Sequence, residues 1–237
     1  MSHARAVHEH VLAHGFGEVE PIRGVIFDIH STLVDQGSAE DWLDAALTVA
    51  PHPLRNAERA ELTSFLDRIW EGARISDPAS SRDLSFEAHA RVFHALLAEG
   101  PGVDPALGDA LYAVMLDVWQ AYDDALPTLR ALRAAGLRIG LISNAGVPIR
   151  EVLDRDGITP LVDAITLSYE VGAVKPDLAL FRAALDAIGL PAGQVLMVGD
   201  SGTDDVGGTA IGMRTLILPR TVGRMHGLDA VVRLCDA

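Results

Sequence analysis

The second half of the chain alternates between short apolar runs and helix-type patterns, and this alternation restricts the possible folds more than any other feature. Residues 137–142 (LRIGLI) and 195–198 (VLMV) are short, mainly apolar runs followed by Ser143 and by Gly199-Asp200, which is typical of buried strands. Between such runs, residues 148–156 and 178–188 place apolar side chains at helical spacing. Strands that alternate with helices predict a doubly wound α/β fold with a parallel sheet.

The same patterns extend this prediction over most of the chain. We predict strands at 23–28, 137–142, 164–167, 195–198 and 215–218, and helices at 126–135, 148–156, 178–188 and 204–211. The region 38–122 differs: it has four helical patterns, at 41–50, 56–73, 84–97 and 105–122, and no convincing strand. We therefore predict a Rossmann-like α/β core formed by residues 1–36 and 124–237, with an all-helical cap, residues 37–123, inserted after the first strand.

Charge and composition exclude several partners. The net charge of −14 argues against nucleic acid or an anionic membrane, since neither would gain by counterion release. A small phosphorylated substrate responds to local charge and stays compatible. No apolar run approaches the ~20 residues that span a bilayer, and the first 17 residues lack a signal-peptide pattern. We expect a cytoplasmic monomer or homodimer without a membrane or nucleic-acid partner, in which Cys235 is a passive thiol.

The N-terminal residues 1–20 carry four histidines without a clear period, and we interpret this segment as a loosely ordered lead-in or a short helix. The histidines are His3, His8, His10 and His14.

Polar residues follow the predicted strands at their carboxyl ends, where doubly wound sheets bind ligands. Asp28 ends the first strand, Ser143 and Asn144 follow the second, and Asp200 follows the strand 195–198. Lys175, upstream of the helix 178–188, is the single lysine beside eighteen arginines. Each residue alone could be a helix cap, a turn or a surface charge. Together, and in this order, they predict one site.

These residues fit phosphoryl chemistry. A carboxylate can attack phosphorus and form an acyl-phosphate, which splits one difficult step into two. The attack brings two anions together, so a cation is needed, and Mg²⁺ prefers oxygen ligands such as those of Asp28 and Asp200. Ser143 and the backbone amides that follow it suit phosphate oxygens, and Lys175 would neutralise the charge of the phosphoryl group.

In their order, these segments resemble the four motifs of the haloacid dehalogenase (HAD) superfamily, and the resemblance covers about Arg23 to Leu218. The fourth segment, Gly199-Asp200 with Asp205, is similar to that of the superfamily's phosphatases. The resemblance implies a Mg²⁺-dependent hydrolase with Asp28 as nucleophile. The remaining implied roles are phosphate binding for Thr32, Ser143, Asn144 and Lys175, charge neutralisation for Lys175, and metal binding for Asp28, Asp200, Asp205 and the backbone carbonyl of His30, with Asp204 a weaker candidate than Asp205.

Two positions depart from the motif of this superfamily, which has Asp-x-Asp-Gly-Thr at the first strand end. His30 stands where the second Asp normally transfers protons, and Ser31 stands where the glycine allows unusual backbone angles. Imidazole can act as acid and base, so we predict either that His30 replaces the acid/base Asp or that it only fills the space. For Ser31, the sequence leaves open whether the serine adopts those angles or the turn differs.

Three functions stay open on the sequence alone. The first is hydrolysis of a small phosphorylated metabolite, which Asp200 and Asp205 favour. The second is dehalogenation of a 2-haloacid, in which Asp28 attacks carbon without a metal. The third is ligand binding without turnover, which the departures at His30 and Ser31 suggest.

The cap is expected to close over the strand ends, exclude water and select the substrate. Arg74 and Arg82 flank a break rich in Pro and Ser from which a loop could reach the site. The full set of cap candidates is Trp42, Trp70, Arg74, Arg82, His89, His94 and Tyr122.

Overall fold

The computed structural model describes residues 20–221 and 223–236. Seven strands occur in this part of the chain: β1 (Gly24–Asp28), β2 (Val34–Asp35), β3 (Gln120–Ala121), β4 (Arg138–Ser143), β5 (Ala164–Leu167), β6 (Val195–Gly199) and β7 (Arg214–Ile217). Five of them form one parallel sheet in the order β5-β4-β1-β6-β7. This order confirms the predicted doubly wound fold and sets β1 at its centre.

Ten α-helices are described, five before β3 and five after it. They are α1 (Ala39–Val49), α2 (Asn56–Leu66), α3 (Ile69–Ser76), α4 (Phe86–Leu97), α5 (Pro105–Val114), α6 (Ala125–Ala134), α7 (Ile149–Arg155), α8 (Ser168–Val171), α9 (Leu178–Ile188) and α10 (Asp229–Leu234). Four short 3₁₀ helices complete the described elements, at Ser81–Leu84, Thr159–Leu161, Ala192–Gln194 and Asp205–Ile211.

Strand β1 is apolar on both faces because each face packs against its own core. Successive side chains of a strand point to opposite faces. Val25 and Phe27 lie in a large core that continues into the cap helices, whereas Ile26 lies in a smaller core with Phe181 and Leu185 of α9. The parallel pairing of β1 with β4 and β6 sets the strand register and therefore the position of Asp28 at its end.

Three of the five helices in the inserted segment begin at residues whose side chains satisfy free backbone amides. The side chains of Ser38, Ser85 and Asp104 accept hydrogen bonds from Asp41 N, Ala88 N and Leu107 N, as N-cap residues do. These caps give α1, α4 and α5 defined starting points, so the loops between the helices have defined positions as well.

The structure corrects several predicted boundaries. The helical pattern 56–73 is interrupted, since α2 ends at Leu66 and α3 begins at Ile69. The predicted helix 105–122 ends at Val114. The expectation of no strand within residues 38–122 is wrong, because β3 lies there and pairs with β2 in a two-stranded antiparallel ribbon. Side-chain periodicity cannot detect a pair of two-residue strands.

Other differences concern short elements. The predicted helix 204–211 is the 3₁₀ helix Asp205–Ile211, where the glycine pair Gly207-Gly208 lowers α-helical propensity. Helices α8 and α10 were not predicted; they have four and six residues, too few for a periodic pattern.

The ribbon of β2 and β3 lies where the chain enters and leaves the inserted helices. The division at residues 36/37 and 123/124 stays a prediction, which this ribbon supports. The four N-terminal histidines lie outside the described residues. Cys235 is partly buried, and burial raises the pKa of its thiol to about 11, in keeping with a passive thiol. None of the helices in the described residues is long and apolar enough to cross a membrane.

Candidate active site

Asp28 lies at the carboxyl end of the central strand and is 4 % exposed. Its Oδ1 accepts a hydrogen bond from Lys175 Nζ at 2.5 Å, and its Oδ2 accepts one from Thr32 Oγ1 at 3.2 Å. Burial, together with the carboxylates of Asp205 and Asp200, raises the pKa of Asp28 to about 7 in spite of Lys175. The carboxylate is thus oriented at both oxygens, and additional positive charge would keep it ionised.

Lys175 lies between two carboxylates. Its Nζ also donates to Asp205 Oδ1 at 2.7 Å, and the side chain is 5 % exposed. Burial alone would lower the pKa of Lys175, but Asp205 and Asp28 outweigh burial and raise it. Lys175 is therefore a fixed cation at this site.

Asn144 holds the backbone of Lys175. Its Oδ1 accepts from Lys175 N at 2.7 Å, and its Nδ2 donates to Lys175 O at 3.2 Å. The neighbouring Ser143 is 3 % exposed and lines the cavity above Asp28. Within the described residues the Ser143 hydroxyl makes no hydrogen bond, so it is available to a ligand, whereas both polar atoms of the Asn144 side chain bond to the Lys175 backbone.

Asp200 and Asp205 occupy different layers. Asp200 lines the cavity, and burial together with Asp205 raises its pKa. Asp205 is fully buried behind it, with Oδ1 on Lys175 and Oδ2 accepting from Ser201 N at 2.9 Å. Gly199 makes this burial possible, since a Cβ at position 199 would overlap the Asp205 side chain.

The departures in the first motif have distinct structural outcomes. Ser31 adopts the left-handed conformation with φ 66° and is buried, so the serine takes the backbone angles that a glycine would take more easily. The His30 ring stacks on Trp119 with centroids 4.4 Å apart and also contacts Trp70. Its Nε2 is buried without a hydrogen-bond partner among the described residues. Burial, with a contribution from Arg220, lowers the pKa of His30 to about 3, so the ring is neutral.

The cavity above Asp28 has a volume of about 260 Å³ and is bounded by both parts of the fold. Thr32 and Asp205 do not line it. The core contributes Asp28, His30, Ser143, Asn144, Lys175, Asp200, Ser201, Thr203 and Asp204. From the inserted helices and loops come Trp70, Arg74, Asp77, Pro78, Ser80, Arg82 and Asp83. Of the cap candidates, Trp70, Arg74 and Arg82 line this cavity, and His89 lines a smaller one beside it. Trp42, His94 and Tyr122 line neither.

The loop that carries Asp83 is joined directly to the core. Ser168 Oγ donates to Asp83 O at 2.5 Å and accepts from Ala145 N at 2.9 Å. At Gly146 a Cβ would overlap Arg82 O, so the two backbones approach closely. Asp77, Asp83 and Ser168 were absent from the candidates based on sequence. Only the Pro- and Ser-rich break around Asp77 indicated that this loop could reach the site.

A divalent cation fits part of the predicted ligand set. Within residues 20–221 and 223–236, no three His, Cys, Asp or Glu side chains converge as a metal cluster. Asp28 and Asp200 nevertheless face one polar cavity, and each has a raised pKa that nearby positive charge would lower. Mg²⁺ commonly binds through one or two carboxylates and keeps several waters. The residues present therefore suit Mg²⁺ at Asp28 and Asp200, with Asp205 behind them.

A parallel doubly wound sheet, with a buried acid and lysine at its strand ends and a helical insertion above them, defines a class of capped α/β hydrolases. The sequence model of the haloacid dehalogenase-like hydrolases matches residues 22–212. The chain belongs to this family.

Its relatives include named phosphatases. The chain is 31 % identical over 226 residues to a glyceraldehyde 3-phosphate phosphatase of Methanothermobacter thermautotrophicus, a match that covers 89 % of this chain and 95 % of the relative. It is 39 % identical over 211 residues to a phosphoglycolate phosphatase of Rhodospirillum rubrum, covering 83 % and 79 %.

Among solved structures, the fold is similar to that of the HAD hydrolase YfnB from Bacillus subtilis bound to magnesium. The TM-score is 0.69 at 23 % identity, and the match covers 92 % of this chain and all of the other. The L-2-haloacid dehalogenase RSc1362 has a TM-score of 0.68 at 22 % identity and the same coverage. At these identities the comparison concerns the fold alone.

Proposed function

We propose that this chain hydrolyses small phosphate monoesters through an aspartyl-phosphate on Asp28. The observation that supports this most strongly is the Asp28 carboxylate, which is buried at the end of the central strand and held by Lys175 and Thr32 below a polar cavity. Relatives named as phosphatases of glyceraldehyde 3-phosphate and phosphoglycolate support a small metabolite as the substrate.

The described residues have separate tasks in this proposal. An Asp28 oxygen attacks phosphorus, the bond to the ester oxygen breaks, and the alcohol leaves. Water then attacks the same phosphorus and regenerates Asp28. Lys175 neutralises charge shared by Asp28 and the phosphoryl group, and Ser143 donates to a phosphate oxygen. Mg²⁺, held by Asp28 and Asp200, would supply electrostatic stabilisation of the same group.

The size and charge of the cavity bear on the substrate. About 260 Å³ under a cap accommodates a metabolite and excludes a phosphoprotein side chain still attached to its fold. Arg74 lines this cavity, is exposed and makes no ion pair within the described residues. It is the cationic group best placed to meet a second polar or anionic part of the substrate. The cytoplasmic location and the monomeric or homodimeric state stay predictions.

Replacing Asp28 with Asn tests the proposal. The amide cannot attack phosphorus, so turnover should fall to background while the fold, measured by circular dichroism, stays intact. The assay measures phosphate released from nitrophenyl phosphate, phosphoglycolate and glyceraldehyde 3-phosphate, with and without Mg²⁺. An active Asp28→Asn protein would refute the proposed nucleophile.

The same assay addresses the two other functions. Halide release from a short 2-haloacid without metal would identify a dehalogenase, and ligand binding without any turnover would identify a non-catalytic member. His30→Asp tests the predicted acid/base role of His30: higher activity indicates a site weakened at this position, and lower activity indicates a catalytic imidazole. A neutral ring packed on Trp119 favours the first outcome.

A further inference from the structure

A second carboxyl group faces the active-site cavity, and it comes from the inserted segment. Asp83, in the 3₁₀ helix Ser81–Leu84, lines the cavity that also contains Asp28 and Lys175. It also lines the smaller adjoining cavity together with His30 and Ser143. This acid thus faces the same cavity as the strand ends. Because the residue is only 6 % exposed, it is shielded from bulk water.

The backbone of Asp83 is fixed, and its carboxyl group is ion-paired with Arg82 but accepts no hydrogen bond from the described residues. The carbonyl oxygen is held by Ser168, and the preceding residue is held through Arg82 N, which donates to Asp77 Oδ2 at 2.7 Å. The Arg82 guanidinium forms a buried ion pair with Asp83 Oδ2 at 3.4 Å, without the geometry of a hydrogen bond. Among the described residues, none donates a hydrogen bond to the Asp83 carboxyl. An oriented acid whose oxygens accept no hydrogen bond can exchange a proton with a ligand.

Burial makes the protonated form of Asp83 accessible near neutral pH, and the surrounding charges act in both directions. Burial raises the pKa of Asp83 to about 7, Arg82 and Lys175 oppose the rise, and Asp77 and Asp204 add to it. His30 and His89 line the adjoining cavity, and the pKa of each is lowered to about 3, so both are neutral. A protonated acid can approach a phosphate dianion without repulsion, and a pKa near the working pH suits proton transfer in both directions.

We propose that Asp83 is the proton-transfer residue of this active site, supplied by the cap in place of the acid that position 30 lacks. This inference rests on the proposed function. When an Asp28 oxygen attacks phosphorus and the ester bond breaks, the leaving oxygen takes the proton of the Asp83 carboxyl. When water attacks the aspartyl-phosphate, the Asp83 carboxylate takes a proton from that water, the bond between phosphorus and Asp28 breaks, and phosphate leaves.

Asp83→Asn tests this role with two substrates that differ in their leaving group. Nitrophenolate leaves without a proton, whereas an alkoxide needs one. For the alkyl phosphate that is turned over fastest, kcat/KM should fall by ~10²–10⁴-fold, and for nitrophenyl phosphate it should change little. Because the second step loses its base with either substrate, nitrophenyl phosphate should give a burst of one nitrophenolate per protein, followed by slow turnover. Intact-protein mass should show the trapped aspartyl-phosphate.

Asp77→Asn is the matched control. Asp77 lines the same cavity and holds the same loop through Ser81 and Arg82, so its loss loosens the loop but leaves the Asp83 carboxyl in place. Loosening alone should lower kcat/KM for both substrates together and give no burst. The proposal is overturned if Asp83→Asn behaves like this control or like the unmodified protein.

A measurement on the unmodified protein covers the case in which Asp83→Asn does not fold. The value of kcat/KM reports the first step, the attack of Asp28 on phosphorus. For the alkyl phosphate, kcat/KM should fall as Asp83 loses its proton above about pH 7. For nitrophenyl phosphate, kcat/KM should not fall in this range. Parallel profiles for the two substrates overturn the proposal. The two proposals can be refuted separately. If Asp28 is not the nucleophile, the Asp28→Asn protein is active. If only the proposed role of Asp83 is wrong, the Asp28→Asn protein is still inactive.

Discussion

At the scale of single residues, the choice of lysine at position 175 is the clearest sequence signal of the candidate site. A chain with eighteen arginines keeps one lysine, and the structure buries its Nζ between the Asp28 and Asp205 carboxylates. A compact ammonium fits between two acids where the longer, planar guanidinium of Arg would not. The sequence indicated the residue type, but it could not indicate Asp205 as the second partner, because that contact depends on the packing behind β6.

Lys175→Met should destabilise the protein as well as inactivate it. The substitution leaves Asp28 and Asp205 facing each other in a buried site, and loss of one partner from a buried charge pair costs about 3–5 kcal/mol. Urea unfolding at pH 7 measures the loss. The loss should shrink at lower pH, because protonation of Asp28, whose pKa burial already raises to about 7, relieves the repulsion.

The double variant Lys175→Met/Asp205→Asn is the control for this reading. Removing the second charge should restore part of the lost stability and none of the activity. If the double variant is no more stable than Lys175→Met, repulsion between the two carboxylates is not the cause of the loss.

At the scale of elements, the contacts that hold the cap loop were the least predictable part of the site. The bond between Ser168 and Asp83 joins residues 85 apart in sequence, and Gly146 matters because a backbone carbonyl lies against it. Neither residue belongs to a motif or a periodic pattern. In contrast, the strands were predictable, since burial on both faces of the sheet produces continuous apolar runs that composition reveals directly.

Ser168→Ala should weaken closure of the cap loop. The closed arrangement would leave the buried Asp83 carbonyl and Ala145 amide without their hydroxyl partner, at a cost of about 1–3 kcal/mol. We expect KM to rise by about tenfold for each 1.4 kcal/mol, and the Ala145 amide to exchange its hydrogen faster.

Ser81→Ala is the matched control, because the Ser81 hydroxyl bonds to Asp77 within the same loop and does not reach the core. It should leave the exchange rate of the Ala145 amide unchanged. Equal effects of the two substitutions on this amide would show that general softening of the loop, and not the link to the core, determines closure.

At the scale of the whole molecule, the fold and the candidate site were predictable to different degrees. The order of the predicted strands and helices along the chain was sufficient to predict the fold and to bring the residues after the strands to one edge of the sheet. The sequence could not predict that Asp200 lines the cavity while Asp205 is buried behind it. That difference depends on how the chain turns between the two residues. The chain has a net charge of −14, and it places the carboxyl groups of Asp28, Asp83 and Asp200 around one cavity. Repulsion between these carboxylates opposes folding unless positive charge offsets it.

Magnesium should therefore stabilise the whole fold. An ion that binds the folded chain and not the unfolded one adds RT ln(1 + [L]/Kd), about 2.7 kcal/mol at 100 times Kd. Thermal unfolding with and without MgCl₂, at ionic strength matched with NaCl, measures this as a rise in Tm. In Asp200→Asn the rise should disappear, while the metal-free protein should be no less stable than the original, since burial and Asp205 already disfavour the Asp200 charge.

Asp204→Asn separates this site from general charge screening. Asp204 lines the same cavity but lies outside the pair Asp28 and Asp200, so its variant should keep the magnesium-dependent rise in Tm. If Asp200→Asn keeps the rise and Asp204→Asn loses it, the cation is held by the weaker of the two predicted acids. If both keep it, magnesium stabilises the protein elsewhere, and the buried carboxylates at the strand ends are balanced by Lys175 alone.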